Sequence, residues 1–219
     1  MKVKTQSKKV NKSWLNDHVN DPYVKLAKKE GYRARAAYKL KEIDEQLGLI
    51  KPGHLVVDLG STPGAWSQYV RRRLSPDGAA VGALNGTIIA LDILPMTPVE
   101  GVTFLNGDFR EPGPLAELHR LLDGRAVDLV MSDMAPNMSG IEAVDQPRQL
   151  YLCELALEFC REVLKPGGSF LAKVFQGAGF DAYLRSVKAE FDKVRMKKPP
   201  ASRARSAEMY LLATGRRIL

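Results

Sequence analysis

The chain has 219 residues, 45% of them hydrophobic, which is enough for the core of one α/β domain. Lysine and arginine outnumber aspartate and glutamate 33 to 25, a formal charge of +8 that suits a polyanionic partner such as RNA, although charge alone does not separate RNA from DNA or a membrane surface. No stretch approaches the ~18 uninterrupted apolar residues of a membrane span and the amino terminus lacks the apolar run of a secretory signal, so integral-membrane and secreted classes are excluded and the cytoplasm is expected.

Lys2, Lys4, Lys8, Lys9 and Lys12 occur in the first twelve residues without a single acid. Their mutual repulsion opposes local folding, so residues 1–20 read as a flexible basic arm and 21–219 as the domain. Asp21-Pro22 then reads as a helix N-cap with proline in the first turn, and Gly31 as the stop. Ala37, Leu40, Ile43 and Leu47 recur at helical spacing, with Gly48 and Lys51-Pro52-Gly53 closing that second helix.

From residue 54 strand-like and helical patterns alternate: HLVVDLG, a helix from Ala65 to Leu74, TIIALDI, VTFLNGD, and a short helix from Leu115 to Leu122. Then come VDLVMSD and a long amphipathic helix marked by Leu150, Cys153, Leu157, Cys160 and Leu164, ended by Lys165-Pro166-Gly167-Gly168. Cys153 and Cys160 have no histidine nearby to complete a metal site and read as reduced core residues. SFLAKVF, a helix from Phe180 to Glu190, FDKVRMK and EMYLLATG complete the chain. This rhythm predicts a doubly wound α/β sheet, mostly parallel, with ligands bound at the carboxyl ends of the strands.

Chemistry is therefore sought at that edge. VVDLGSTPGAW, from Val56 to Trp66, ends a buried strand with an acid and turns on small residues, which let a ligand approach the backbone. Gly60 and Gly64 with Pro63 between them do not make the G-x-G-x-x-G of a dinucleotide site, so the turn suits a zwitterionic nucleoside better than a pyrophosphate. Asp92 ends the second strand, where a carboxylate can accept both ribose hydroxyls, and Asp108 ends the third, within reach of an adenine amino group.

Asp133 closes VDLVMSD, before the loop MAPNMSG. Lys173 interrupts the apolar run SFLAKVF, where a buried ammonium needs a partner, and Asp133 on the adjacent strand end is the nearest candidate. Free lysine, with a pKa of ~10.4, is a poor base at neutral pH, but desolvation or a second cation brings such a group into a useful range. Lys173 is thus a candidate base, and equally half of a structural ion pair. Glu208 alternates with Tyr210 and Leu212 on one face of the last strand and needs a cation such as Lys173 or Lys39.

With these residues in view, the chain resembles the FtsJ/RrmJ-type (RlmE) bacterial ribosomal RNA large-subunit methyltransferases. The segments carrying the resemblance are YKLKEID around Lys39, VVDLGSTPGAWSQYV, LDILPM, GDF, MSDMAPNMSG, VDQPR, KPGGSFLAKVFQG, SRARSAEMYLLATG and the basic arm, which cover nearly the whole length. It implies a single Rossmann-like class I methyltransferase domain with an antiparallel last strand, using S-adenosyl-L-methionine and no metal. The family's Lys-Asp-Lys-Glu tetrad falls on Lys39, Asp133, Lys173 and Glu208, with the second lysine as proton acceptor. Its cofactor contacts fall on Gly64, Trp66, Asp92, Asp108 and Asp133. The implied product is a 2′-O-methylated uridine of 23S rRNA, made on the assembled large ribosomal subunit in the cytoplasm by a monomer, with neither DNA nor membrane as partner.

The chain departs from the family's usual pattern at Gly64-Ala65, where two glycines are expected, and at Ser61-Thr62, which replace smaller residues. The stretch from Pro76 to Gly86 is also longer than usual. The basic arm with Arg33, Arg35, Arg203 and Arg205 is expected to hold phosphates. A nicotinamide-dependent oxidoreductase is the rival enzyme class, disfavoured by the missing third glycine. A non-catalytic ribosome-assembly protein is disfavoured by the complete tetrad. A transfer RNA ribose is the alternative acceptor.

Overall fold

A computed structural model describes residues 18–204 and 206–218. The basic run from Lys2 to Lys12, and Arg205, lie outside them. Helix α1 spans Pro22–Glu30 and α2 Ala37–Leu47. Asp21 caps α1 by accepting the amides of Tyr23 and Val24, and Gly31 ends it in the left-handed region. Strand β1 (Leu55–Leu59), helix α3 (Ala65–Leu74), strands β2 (Thr87–Asp92) and β3 (Val102–Asn106), helix α4 (Pro112–Leu122) and strand β4 (Val127–Ser132) follow. Helix α5 (Glu142–Val163), strand β5 (Leu164–Phe175), helix α6 (Phe180–Glu190) and strands β6 (Phe191–Lys197) and β7 (Glu208–Arg216) complete the fold.

The seven strands form one sheet in the order β3-β2-β1-β4-β5-β7-β6, parallel except for β7, which is antiparallel to both β5 and β6. Side chains alternate across a strand, so neighbouring residues feed different layers. Val57 and Leu59 pack with α4, α5 and α6 on one face, and Val56, Ile88, Leu171 and Leu212 with α1, α2 and α3 on the other. Two helical layers on a mainly parallel sheet are the doubly wound arrangement expected from the strand and helix rhythm.

Three boundaries move by three residues or more. Helix α5 begins at Glu142, two turns before Leu150, and runs through Pro147. Helix α4 begins at Pro112 rather than Leu115, with proline in the first turn where its missing amide costs nothing. Strand β5 begins at Leu164, which pairs with Val127 across a register shift. The long segment after α3 is organised by Arg71, whose side chain is 1% exposed. Its guanidinium donates to the carbonyls of Ala79, Gly82 and Ala83 and pairs with Glu100 at 2.8 Å.

Candidate active site

The carboxyl edge of the sheet is assembled by the ends of β1, β2, β4 and β5 and the beginning of β7. After β1 the chain turns sharply, and the amides of Gly60 and Ser61 both donate to Leu91 O, at 2.9 and 3.2 Å. Gly60 has φ +75°, and a Cβ there would lie 2.7 Å from the amide nitrogen of Met134. Glycine is therefore required for the β4 loop to close against this turn. Thr62 N donates to Asp92 Oδ2 at 2.8 Å and Thr62 Oγ1 to Leu94 O at 3.1 Å, so the threonine that departs from the family pattern ties the turn to the end of β2.

Asp92 is the last residue of β2, and each of its carboxylate oxygens accepts one backbone amide, from Thr62 and Leu94. A carboxylate oxygen accepts more than one hydrogen bond, so Asp92 retains capacity for a diol. Asp108 stands two residues beyond β3, its carboxylate gripped by Arg110 at 2.6 to 3.1 Å. The Arg110 guanidinium holds the Asp108 carboxyl below its usual range, and any adenine contact there shares this carboxylate with Arg110. Gly64 adopts φ +105°, leading into α3. Trp66 does not project into open space. Its indole Nε1 donates to Ala36 O at 2.9 Å, fixing the start of α2, and its ring lies 5.8 Å from that of Tyr210.

Asp58, which sequence reasoning left without a role of its own, is fully buried at the end of β1. Its Oδ2 accepts from Ser67 Oγ at 2.6 Å, while Oδ1 has no partner among the described residues. Burial pushes its pKa up to about 7, against the lowering effect of the Ser67 hydrogen bond.

The four tetrad positions come together in two pairs. Lys173 Nζ, on β5, donates to Asp133 O at 2.7 Å and lies 3.3 Å from Asp133 Oδ1. Lys39 Nζ, on α2, is 2.6 Å from Glu208 Oε1, on β7. These four side chains are only 11 to 21% exposed. Tyr210 links the pairs: it is the register partner of Lys173, its hydroxyl donates to Asp133 Oδ1 at 3.0 Å, and Lys39 Nζ sits 5.9 Å from its ring centroid. The alternation of Glu208, Tyr210 and Leu212 was the signal for this tyrosine, though not for its bond to Asp133.

Gln149 on α5 braces the same region, its amide donating to the carbonyls of Met134 at 3.2 Å and Lys173 at 2.9 Å. The Asp145 carboxylate accepts the amides of Ser139 and Gly140 and shapes the loop over the edge. Three of the expected phosphate-binding arginines already have partners in the protein, Arg203 lying 3.6 Å from Asp21. Arg33 donates to the carbonyls of Pro63, Thr97 and Pro98, and Arg35 pairs with Asp21 at 3.0 Å and donates to Ala201 O. They hold the framework, because carbonyls clustered around a guanidinium leave few of its donors for a ligand.

Among the described residues no group of three or more His, Cys, Asp or Glu side chains is placed to hold a metal ion, and no helix is long and apolar enough to cross a membrane. Cys153 and Cys160 are buried free thiols.

Comparison with known proteins finds that residues 32–216 match the FtsJ-like methyltransferase family. The ribosomal RNA large subunit methyltransferase E of Acidovorax sp. (strain JS42) is 66% identical over 98% of this chain and 98% of its own length. The protein of the same name from Variovorax paradoxus (strain S110) is 64% identical over 98% of this chain and 97% of its own. Among solved structures, a putative ribosomal RNA methyltransferase from Plasmodium falciparum superposes with a TM-score of 0.73 at 26% identity, covering 84% of this chain and 98% of that one.

Proposed function

Because the chain belongs to the FtsJ-like methyltransferase family, it is an enzyme of methyl transfer, and we propose that it methylates the ribose 2′-hydroxyl of a uridine in 23S rRNA of the large ribosomal subunit, with S-adenosyl-L-methionine as donor. The observation that carries the acceptor chemistry is the convergence of the Lys173–Asp133 and Lys39–Glu208 pairs on Tyr210 at the carboxyl edge. A hydroxyl must lose a proton to accept a methyl group, and this cluster supplies amines held by fixed carboxylates.

The donor fits the adjacent turn. Asp92 has acceptor capacity for a ribose diol, Asp108 stands beyond the next strand, and the Gly60 to Gly64 turn leaves backbone approachable. Asp58 Oδ1, which has no partner among the described residues, is an acceptor of the kind a positively charged ligand requires nearby. With Gly64, Trp66 and Asp133, these residues would hold the donor, which when bound supplies an electrophilic methyl group on a sulfonium.

Lys173 orients the 2′-hydroxyl and takes its proton. In its neutral form Lys173 keeps a nitrogen lone pair while an N–H donates to Asp133 O; that lone pair accepts the 2′-hydroxyl proton as the oxygen takes the methyl group, and the ammonium that results is held by the Asp133 carboxylate. Asp133, itself fixed by Tyr210, holds Lys173 in place. Lys39, clamped by Glu208, stabilises negative charge developing on the ribose oxygen. Alignment in a pocket partly withdrawn from water contributes most of the rate. The 2′-hydroxyl is what separates this acceptor from DNA. The reading places the enzyme in the cytoplasm as a monomer, with residues 1–20 as a basic arm on a single domain.

The test is incubation with radiolabelled S-adenosyl-L-methionine and, separately, unmethylated large subunits, free ribosomal RNA and transfer RNA, with the label mapped to base or ribose. Ribose label on the large subunit is expected. Label on transfer RNA alone would overturn the substrate, and label on a base would overturn the chemistry.

A further inference from the structure

At the opposite, amino-terminal edge of the sheet lies a cavity of about 400 Å³. Its polar lining includes Lys51, His54, Lys165, Lys193, Arg195 and Asp128. Ser169 on its wall precedes Lys173 by four strand residues, so at ~3.3 Å per residue the cavity and the tetrad are roughly 13 Å apart along β5. The two openings therefore lie at different ends of the sheet.

Four of the side chains are lysine or arginine and one is a carboxylate. Asp128 is engaged by Lys165, accepts the amide of Leu55 at 2.7 Å, and has its pKa held down by those interactions despite its burial. Lys51, Lys193 and Arg195 have no acidic partner among the described residues, so the cavity carries positive charge that the protein does not neutralise. Lysines on an edge strand alone would be ordinary protection against strand pairing. Here Lys193 and Arg195, two residues apart on the edge strand β6 and paired with Thr214 and Leu212 of β7, face the same way. They converge with groups delivered by the segment before β1 and by the start of β5 on one concavity. Repulsion among confined like charges is relieved by an anion, and several donors around one depression match the oxygens of a phosphate.

We propose that this cavity is a second phosphodiester-binding site, which holds the RNA backbone at a point remote from the methylated ribose. The inference rests on the RNA-methyltransferase reading. It supplies an anchor that positions the substrate without reading sequence, in a molecule where Arg33 and Arg35 beside the active site are committed to the protein itself.

The experiment compares the full chain with Lys193→Ala/Arg195→Ala, and separately with Lys51→Ala, which leaves β6 untouched. Filter binding to unmethylated 23S rRNA across a salt series is measured independently of steady-state methylation. Both variants are expected to raise KM, roughly 10-fold for the double variant at physiological salt, and to leave kcat unchanged. The slope of log affinity against log salt should fall by about one for each phosphate that is no longer neutralised. Unchanged RNA affinity and salt slope in both variants would overturn the proposal even if the wild type methylates normally. If the wild type methylates no RNA, the functional reading fails separately, and the filter-binding slopes still decide the cavity. Titration with inorganic phosphate, read on the His54 ring resonances, distinguishes the ligand's source. A sub-millimolar shift together with unaltered RNA binding would assign the cavity to a small free anion and overturn the RNA assignment.

Discussion

Lys173 meets Asp133 twice, through the main-chain carbonyl at 2.7 Å and the carboxylate at 3.3 Å. The carbonyl hydrogen bond would survive removal of the carboxylate, so the lysine's position and its electrostatic environment can be separated by mutation.

Lys173→Ala is expected to lower methyl transfer by roughly 10²- to 10⁴-fold, the usual range for a positioned acid or base, while S-adenosyl-L-methionine affinity by calorimetry stays within a few-fold. Lys173→Arg should be nearly as inactive, because guanidinium does not deprotonate in proteins. Wild-type rates in the arginine variant would remove Lys173 from proton transfer.

Lys39 and Glu208 form a close pair with 14% and 13% side-chain exposure. Lys39→Met or Glu208→Gln alone leaves a poorly solvated charge unpaired and is expected to cost about 1–3 kcal/mol in denaturant unfolding. The double variant should regain part of that stability but none of the activity. Recovered activity would show the pair to be purely structural.

Asp58 sets a pH dependence of stability. Its folded pKa of about 7 stands above the ordinary aspartate value of 3.8, so between these values the unfolded chain has released a proton that the folded chain retains. Its contribution to stability therefore falls as pH rises from about 4 to 7 and levels off above. Asp58→Asn should gain relative to wild type on going from pH 5 to pH 8, by an amount on the order of 2 kcal/mol. Urea midpoints of both proteins at the two pH values measure this, and parallel shifts would contradict it.

Burial pushes the Cys153 thiol up to about 12 and that of Cys160 upward as well. Because thiolate is the reactive form, neither should react with a chromogenic disulfide reagent within minutes in the native protein at pH 8. Both should react at once in denaturant. Rapid native labelling of either would mean that α5 opens readily.

Much of this arrangement is legible in the sequence where local pattern and tertiary need agree. Helix α3, helix α6 and strand β6 have the bounds their periodicity predicts, and Lys173 is conspicuous as a charge in an apolar strand. The choice between Lys39 and Lys173 as partner of Glu208 was not legible, because it depends on how α2 packs against β7. Arg71 and Asp44 were equally hidden. Both look like surface charges on helices, yet each is about 1% exposed, with partners brought in by distant segments. Pro147 obscured the first turns of α5, since proline in a helix interior removes a hydrogen bond and argues locally for a break.

Strand β7 follows β6 in the chain, yet it lies between β5 and β6 and carries Glu208 and Tyr210. During synthesis the segment from α1 to β6 emerges first, and Lys39 and Asp133 lack these partners until β7 inserts between strands already translated. A chain cut before β7 is therefore expected to leave β6 without its strand partner and Lys39 without Glu208.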